Sequence, residues 1–180
     1  MTEAWAEEQV PGAVVQAARD AAQRVVRALK RSEGGTIASA ESLTSGLVAS
    51  ALAEVPGVSE WFLGGVVAYS FDVKSGLLGV DRDLLERLGA VNETVAVQMA
   101  RGACENLGAR WAVATTGVAG PGPAEGKPEG TVWLAAVDAK SGDVLTRCIS
   151  VEGTRDGVRW AASGAALELL ARCVEQNLGT

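Results

Sequence analysis

Segments with helical spacing alternate along this chain with short apolar segments rich in β-branched residues, and this alternation constrains the fold more than any other feature. The apolar spacing predicts helices at 13–31, 45–54, 73–78, 92–107 and 155–176. Strands are predicted at 36–40, 63–70, 111–115, 131–137 and 144–151, with the last two forming a hairpin. This order predicts a mixed sheet covered by helices on both faces, with 63–70 as a central strand.

Length and composition predict one domain without a membrane or nucleic acid partner. The 180 residues are 48% hydrophobic and 21% charged, and we assign a single domain to 13–180 after an N-terminal extension at 1–12. A net charge of -6 disfavours nucleic acid and anionic membranes as partners. Because no apolar run approaches the roughly 20 residues that span a bilayer, and the acidic N-terminus lacks a signal-peptide pattern, we expect a cytoplasmic protein.

The chain contains no histidine, which excludes Ser-His-Asp and Cys-His catalysis and histidine-ligated zinc. The three cysteines, Cys104, Cys148 and Cys173, lack the spacing of a zinc site and are expected to be buried, reduced thiols. We therefore predict no metal and no cofactor. Any acid–base chemistry near neutral pH must use a lysine, tyrosine, cysteine or carboxylate whose pKa is shifted.

Ser42 is the first candidate for chemistry, because it lies where a predicted buried strand ends and a helix begins. Unpaired backbone N–H groups at that junction favour a developing negative charge, as a serine nucleophile requires. Ser42, Thr44 or Ser45 serving only as the helix N-cap is the competing interpretation.

The second candidate is the segment from Tyr69 to Lys74, at the end of the 63–70 strand. Without histidine, a serine nucleophile needs another base, and a desolvated lysine can serve because burial lowers its pKa. The phenol of Tyr69 would relay or donate a proton. A solvated lysine beside a core-packed tyrosine is the competing interpretation.

Two further segments favour binding of an anionic ligand. Thr116 and Gly117 belong to a glycine-rich segment after the 111–115 strand, where backbone N–H groups can approach a ligand. Arg155 lies in the first turn of the last helix, where a cation is electrostatically unfavourable unless a phosphate binds beside it. A mobile loop and an exposed arginine are the competing interpretations.

Several motifs occur in one order over residues 13–176: AES at 40–42 with Thr44, PGVSEWFLGGVVAYS before Lys74, GAV at 89–91, TTGVAGPG, KPEGTVW and GTRDGVR. In this order they resemble the C-terminal domain of the CinA family, the nicotinamide-nucleotide amidase group. The resemblance implies a three-layer α/β/α sandwich. It also implies hydrolysis of the carboxamide of nicotinamide mononucleotide to nicotinate mononucleotide and ammonia, by a homo-oligomer. Five tryptophans in a small domain indicate some exposed apolar surface, so Trp5 and Trp160 are candidates for the subunit contact, with burial in the core as the competing interpretation.

The resemblance also implies roles for individual residues. Ser42 matches the family's nucleophile, Tyr69 its tyrosine and Lys74 its general base. The residues that match the substrate-binding positions are Thr44, Ser45, Thr116, Gly117 and Arg155.

The family pattern usually reads AESCTGG, SNEAK and GDR, and this chain departs from it. The departures include Leu43, Ser45, Phe71, Asp72 and Thr154. Two alternatives therefore stay open beside the amidase: a catalytically silent nucleotide-binding or interaction domain of the same fold, and an amidase for a different small amide.

Overall fold

In the computed structural model of the chain, which describes residues 11–32 and 34–176, helices and strands alternate as predicted. The helices are α1 (Gly12–Arg31), α2 (Leu47–Ala53), α3 (Phe71–Leu78), α4 (Arg82–Leu88), α5 (Glu93–Leu107) and α6 (Arg155–Gln176), with a short 3-10 turn at Val58–Glu60. The strands are β1 (Ile37–Glu41), β2 (Phe62–Val67), β3 (Trp111–Gly117), β4 (Thr131–Asp138) and β5 (Val144–Ser150). The predicted extension at 1–12 and Trp5 lie outside the described residues, except for Pro11 and Gly12.

The five strands form one mixed sheet in the order β2-β1-β3-β4-β5. Strand β1 pairs in parallel with β2 and β3, whereas β3–β4 and β4–β5 are antiparallel. The carboxyl ends of β1, β2 and β3 therefore meet at the same edge of the sheet. Every predicted candidate residue except Arg155 lies in or soon after one of these three strands.

The prediction that 63–70 forms a central strand is wrong, because β2 is an edge strand. Its residues alternate between half-buried and exposed, and Leu63 and Val67 are 48% and 47% exposed. An apolar run indicates burial on both faces only when helices cover both, and this edge of the sheet is incompletely covered.

Alternating strand residues separate the interior into two layers of side chains. Ile37, Trp111 and Val113 pack with α1, α2 and α6 on one face of the sheet. On the other face, alanines of the same strands pack against α3, α4 and α5. The small alanine side chains let α5 lie close to the sheet, and the result is the expected three-layer α/β/α sandwich with a mixed sheet.

Local signals place most of the helix ends. Asn92 caps α5 through a hydrogen bond from Val95 N–H, and Gly108 ends that helix with φ 68°, as predicted. The sequence patterns did not predict α4, whose N-cap Asp81 accepts from Asp83 and Leu84 N–H. None of the helices within the described residues has the length and apolar character needed to cross a membrane.

Two minor predictions concern side-chain burial. Cys104 and Cys173 are buried as expected, but Cys148 on the edge strand β5 is exposed, so that part of the prediction is wrong. Trp160 is half-buried in α6.

Candidate active site

Ser42 lies immediately after β1, in the turn of residues 42–46 that leads into α2, which we call the serine turn. Its side chain is almost buried, and its N–H donates to Thr115 O at 3.0 Å, which extends the β1–β3 pairing by one residue. The turn closes through Ser45 N–H and Ser42 O at 3.2 Å, and Gly46 caps α2 with φ 98°. Strand pairing and the turn together fix the position of the Ser42 hydroxyl.

Lys74 reaches Ser42 from the first turns of α3. Ser70 caps this helix by accepting from Val73 N–H at 3.2 Å, and the Lys74 side chain, 1% exposed, extends from it into the interior. Lys74 Nζ is hydrogen-bonded to Ser42 Oγ at 2.9 Å, and it donates to Ala68 O at 2.8 Å and Tyr69 O at 2.9 Å. The structure thus brings the predicted serine and lysine into direct contact.

Burial changes the protonation of this lysine. Desolvation lowers the pKa of Lys74 from 10.5 to about 8, against an opposing effect of the Glu125 carboxylate. A neutral amine has two N–H bonds and one lone pair. The carbonyl oxygens of Ala68 and Tyr69 accept the two N–H bonds, which leaves the lone pair for the Ser42 hydroxyl proton.

Glu41 supports the serine turn from beneath and was not singled out by the sequence reasoning. Its side chain is 1% exposed, at the last position of β1. The carboxylate accepts five hydrogen bonds of 2.8–3.2 Å, from the side chains of Ser39 and Thr44 and the backbone N–H groups of Gly46, Val48 and Ala49. A carboxylate just before a helix start is the signal that could have revealed this role, because helix N-terminal N–H groups bind anions.

A cavity of about 240 Å³ opens beside the serine and lysine. Its walls come from five places: the serine turn, the start of α3, residues 90–91 before α5, the end of β3 with the loop of residues 117–130, which we call the glycine loop, and the start of α6. The predicted site residues that line it are Ser42, Tyr69, Lys74, Thr116, Gly117 and Arg155. Five separate segments of the chain therefore converge on one space.

Thr116 and Gly117 lie at the floor of the cavity, where β3 ends. The Thr116 hydroxyl donates to Ala90 O at 2.8 Å, which ties β3 to the segment before α5. A Cβ at Gly117 would lie 2.6 Å from Thr131 O. Glycine is needed there for the approach of β4, in addition to any approach of a ligand.

The Tyr69 side chain is 60% exposed at the mouth of the cavity and contacts Arg155, not Lys74. Arg155 donates to the Tyr69 hydroxyl at 3.2 Å and to Gly120 O in the glycine loop. Among the described residues, no hydrogen bond joins the phenol to Ser42 or Lys74, and only the Tyr69 backbone carbonyl contacts the amine. The expected proton relay through this phenol is therefore absent from the observed geometry.

Thr44 and Ser45 do not line the cavity, in contrast to the prediction that they bind substrate. The Thr44 side chain is fully buried and donates to Glu41 at 2.8 Å, with Thr115 Oγ1 also 2.8 Å away. Ser45 is exposed with φ 51° on the far side of the turn. Both residues shape the serine turn, because their positions are used for its internal hydrogen bonds.

Two charged residues outside the predicted set hold the walls of the cavity. Glu125 in the glycine loop accepts from Ala90 N–H at 2.6 Å and Val91 N–H at 3.2 Å, which anchors the loop. Arg159 in α6 donates to Leu43 O at 3.1 Å and Thr44 O at 3.3 Å in the serine turn. In these contacts Glu125 and Arg159 bind backbone groups, so no pattern of side chains in the sequence predicts them. In the described part of the chain, no cluster of three His, Cys, Asp or Glu side chains is placed to hold a metal ion.

Comparison with known proteins identifies relatives of this chain. A family model described as the CinA C-terminal domain matches residues 18–174. A nicotinamide-nucleotide amidohydrolase PncC of Escherichia coli (strain K12) is 42% identical over 156 residues, covering 86% of this chain and 93% of that protein. A CinA-like protein of Frankia casuarinae is 44% identical over 157 residues, covering 86% of this chain and 35% of that protein. The chain spans about a third of the length of such CinA-like relatives.

Solved structures of similar proteins share the fold. A CinA superfamily protein from Klebsiella pneumoniae has a TM-score of 0.82 at 31% identity, covering 88% of this chain and 98% of that one. The competence/damage inducible protein CihA from Agrobacterium tumefaciens has a TM-score of 0.79 at 37% identity, covering 92% of this chain and 98% of that one.

Proposed function

The chain belongs to the CinA C-terminal domain family, and from this premise we propose that it is an amidohydrolase that cleaves the carboxamide of nicotinamide mononucleotide to nicotinate mononucleotide and ammonia. The observation that carries the proposal is the 2.9 Å hydrogen bond between Lys74 Nζ and Ser42 Oγ at the wall of an accessible cavity. Similarity to the Escherichia coli amidohydrolase over most of both chains supports the same substrate.

In the first step, the Ser42 hydroxyl attacks the carboxamide carbon while neutral Lys74 takes its proton. The lysine needs no rearrangement to do so, because its two N–H bonds are already accepted by Ala68 O and Tyr69 O. Burial lowers the Lys74 pKa to about 8, so a substantial fraction of the amine is neutral near that pH.

The negative charge that develops on the carboxamide oxygen needs hydrogen-bond donors. Most backbone N–H groups after Ser42 already have acceptors, because Ser45 N–H donates to Ser42 O and Gly46 N–H donates to Glu41. Within the described residues, the N–H groups of Leu43 and Thr44 donate to no acceptor. Of these two residues only Leu43 lines the cavity. We therefore assign the Leu43 N–H as the oxyanion donor, a contact typically worth about 3–4 kcal/mol to the transition state.

The second half of the reaction returns the proton. The Lys74 ammonium donates it to the departing nitrogen, which leaves as ammonia and breaks the C–N bond. Water then attacks the Ser42 acyl ester while Lys74 takes its proton. Lys74 returns this proton to Ser42 Oγ as the ester bond breaks, which releases nicotinate mononucleotide and regenerates the free serine and the neutral amine. Arg155, exposed at the cavity mouth, binds the substrate phosphate by charge-assisted hydrogen bonds.

The residues that depart from the family pattern differ in whether they line the cavity. Leu43 and Phe71 line the cavity, whereas Ser45 and Thr154 do not. The Ser42–Lys74 contact is intact beside them, which favours the enzyme over a catalytically silent domain. A single domain at 13–180, a cytoplasmic location and assembly as a homo-oligomer stay predictions.

The test is ammonia release from nicotinamide mononucleotide by the wild-type chain and by Ser42→Ala and Lys74→Ala, with the exposed Lys140→Ala as a matched control. We expect activity in the wild type and the control, and a loss of at least about 1000-fold in the two site variants. Equal rates in all four proteins would contradict the mechanism. Binding of the mononucleotide without turnover would select the silent domain, and turnover of other carboxamides alone would select a different amidase.

A further inference from the structure

Among the described residues that line the cavity, Glu125 is the only acidic one. The other charged side chains there are Lys74, which is neutral when it acts as the base, and Arg155, which binds the phosphate in the proposed reaction. The cavity therefore presents one negative and one positive charge when the lysine is neutral. A ligand that carries both a cation and an anion would match this pair of charges better than a simple anion.

Glu125 lies at the tip of a tight turn in the glycine loop. Ala124 N–H donates to Lys127 O at 3.1 Å, and Lys127 N–H donates to Ala124 O at 2.9 Å. Between them, Glu125 and Gly126 have φ values of 51° and 68°, as in a type I′ turn. Glycine, asparagine and aspartate adopt this left-handed conformation more readily than glutamate. The backbone is therefore strained at Glu125, and such strain is concentrated at binding and catalytic sites.

Contacts with the segment before α5 fix the direction of the Glu125 carboxylate. Its Oε2 accepts from Ala90 N–H at 2.6 Å and from Val91 N–H at 3.2 Å. A Cβ at Gly89 would clash with the same oxygen, so glycine is needed there for the carboxylate to approach. The other oxygen, Oε1, accepts no hydrogen bond from any residue that the structure describes. One oxygen thus anchors the loop, and the second is left for a ligand in the cavity.

The charge of Glu125 acts on the reacting end of the cavity. It raises the Lys74 pKa, in opposition to the larger effect of burial, so the carboxylate and the amine interact electrostatically. A cation bound beside Ser42 and Lys74 would be attracted by the same carboxylate. In nicotinamide mononucleotide the ring nitrogen carries the ribose and is a pyridinium cation, in the same ring as the carbon that bears the carboxamide. Binding of the carboxamide at Ser42 therefore brings this cation close to Glu125.

We propose that Glu125 is a specificity-determining residue, whose carboxylate pairs with the pyridinium ring of the substrate and selects N-substituted pyridinium carboxamides over neutral ones. The inference rests on the proposed amidohydrolase function and adds recognition of the ring charge to recognition of the phosphate by Arg155. The dihydropyridine form of the mononucleotide carries the same carboxamide, ribose and phosphate on a neutral ring. It lacks the attraction to Glu125 and should bind more weakly than the pyridinium form.

The experiment uses two ligands that each keep one charge of the mononucleotide. Nicotinamide riboside keeps the pyridinium and lacks the phosphate, whereas the dihydropyridine form keeps the phosphate and is used as a competitive inhibitor. Glu125→Gln retains an oxygen that can accept from Ala90 and Val91 N–H, so the loop stays anchored while the charge is lost. Measurements at about pH 9 keep Lys74 mostly neutral in both proteins.

We expect Glu125→Gln to raise KM for nicotinamide mononucleotide and for the riboside about 3- to 20-fold, and to leave Ki of the dihydropyridine form within about twofold of wild type. Arg155→Met should give the opposite pattern, with a higher Ki for the dihydropyridine form and an unchanged KM for the riboside. Glu60→Gln removes an exposed carboxylate in the 3-10 turn before β2 and should match the wild type in every measurement.

An unchanged KM for nicotinamide mononucleotide in Glu125→Gln would overturn the inference. An increase in Ki of the dihydropyridine form as large as the increase in KM would also overturn it, because the carboxylate would then act only on the structure of the loop. If the wild type released no ammonia, the proposed function itself would fail, which is a different outcome from an active wild type whose KM does not depend on Glu125.

Discussion

The two walls of the cavity differ in burial and in the way they are held. Ser42 and Lys74 form the reaction wall, where both side chains are at least nine-tenths buried. The glycine loop, together with Tyr69 and Arg155, forms the recognition wall, where most side chains are exposed. Glutamate carboxylates that accept hydrogen bonds from backbone N–H groups hold both walls. Glu41 does so beneath the reaction wall, and Glu125 and Glu129 do so within the glycine loop.

This difference separates two requirements of a hydrolase. A proton transfer from serine to lysine needs a fixed distance and a dry environment, and burial supplies both while lowering the lysine pKa. Recognition of a charged, hydrated nucleotide needs groups that remain accessible to solvent. We therefore expect changes in the reaction wall to alter kcat or stability and changes in the recognition wall to alter KM.

Apart from replacement of Ser42 or Lys74 themselves, the largest effect is expected at the base of the reaction wall. Glu41→Ala removes the acceptor of three backbone N–H groups at the start of α2, and burying donors without partners costs about 3 kcal/mol in total or more. Denaturant unfolding should show this loss of stability, and the folded fraction should lose kcat about 100-fold as the serine turn loosens. Glu54→Ala, at the other end of α2, breaks only an exposed ion pair with Arg19 and should cost less than about 1 kcal/mol.

The next effect is expected on the recognition wall. Arg155→Met removes the cation at the cavity mouth, and loss of a charge-assisted hydrogen bond to phosphate is worth about 1.5–3 kcal/mol. KM for nicotinamide mononucleotide should rise about 10- to 100-fold while kcat changes little. Nicotinamide riboside, which lacks the phosphate, should react equally well with variant and wild type. A fall in kcat for both substrates would contradict the separation of the two walls.

A smaller effect links the two walls through charge. Because the base must be neutral, kcat should rise with pH through the Lys74 pKa of about 8. The Glu125 carboxylate raises that pKa, so Glu125→Gln should lower it and move the rising limb to lower pH, which increases kcat at pH 7 by less than about tenfold. Glu129→Gln in the same loop is the matched control and should leave the limb in place. A shift to higher pH in Glu125→Gln would contradict the assignment of the limb to Lys74.

The smallest effect is expected for the exposed phenol. Tyr69→Phe removes the contact of the hydroxyl with Arg155 but leaves the backbone carbonyl that binds Lys74. We expect KM to change by less than about threefold and kcat to stay at the wild-type value. A loss of kcat of tenfold or more, measured at saturating substrate, would contradict this prediction and support a proton relay through the phenol.

Much of this arrangement could be predicted from the sequence. Strand and helix periodicity located the elements and the mixed sheet, and the absence of histidine directed attention to Ser42 and Lys74. These residues converge because they follow the carboxyl ends of two neighbouring parallel strands, β1 and β2. The edge position of β2 was not predictable in this way, because an apolar run does not report how many neighbours a strand has.

The supporting residues were harder to predict because their partners are backbone groups. Glu41 lies beside Ser42 in the sequence, and no side-chain pattern there shows that it binds three N–H groups at the start of the following helix. Arg159 binds carbonyls of a turn more than a hundred residues earlier, and nothing local marks either partner. The resemblance predicts substrate contacts for Thr44 and Ser45, but a match in sequence position does not report whether a side chain faces the cavity or shapes the turn behind it.

The contacts made by the first two turns of α6 have a consequence for the order of folding. Arg159 and Leu43 are 116 positions apart, and Arg155 and Tyr69 are 86 apart, so these contacts are among the most non-local in the chain. Loop closure makes such contacts late events, after local helices and the β4–β5 hairpin have formed. During synthesis α6 leaves the ribosome after all the elements that precede it, and until it docks the serine turn lacks the contacts of Arg159. The nascent chain therefore acquires its secondary structure before it acquires a competent site.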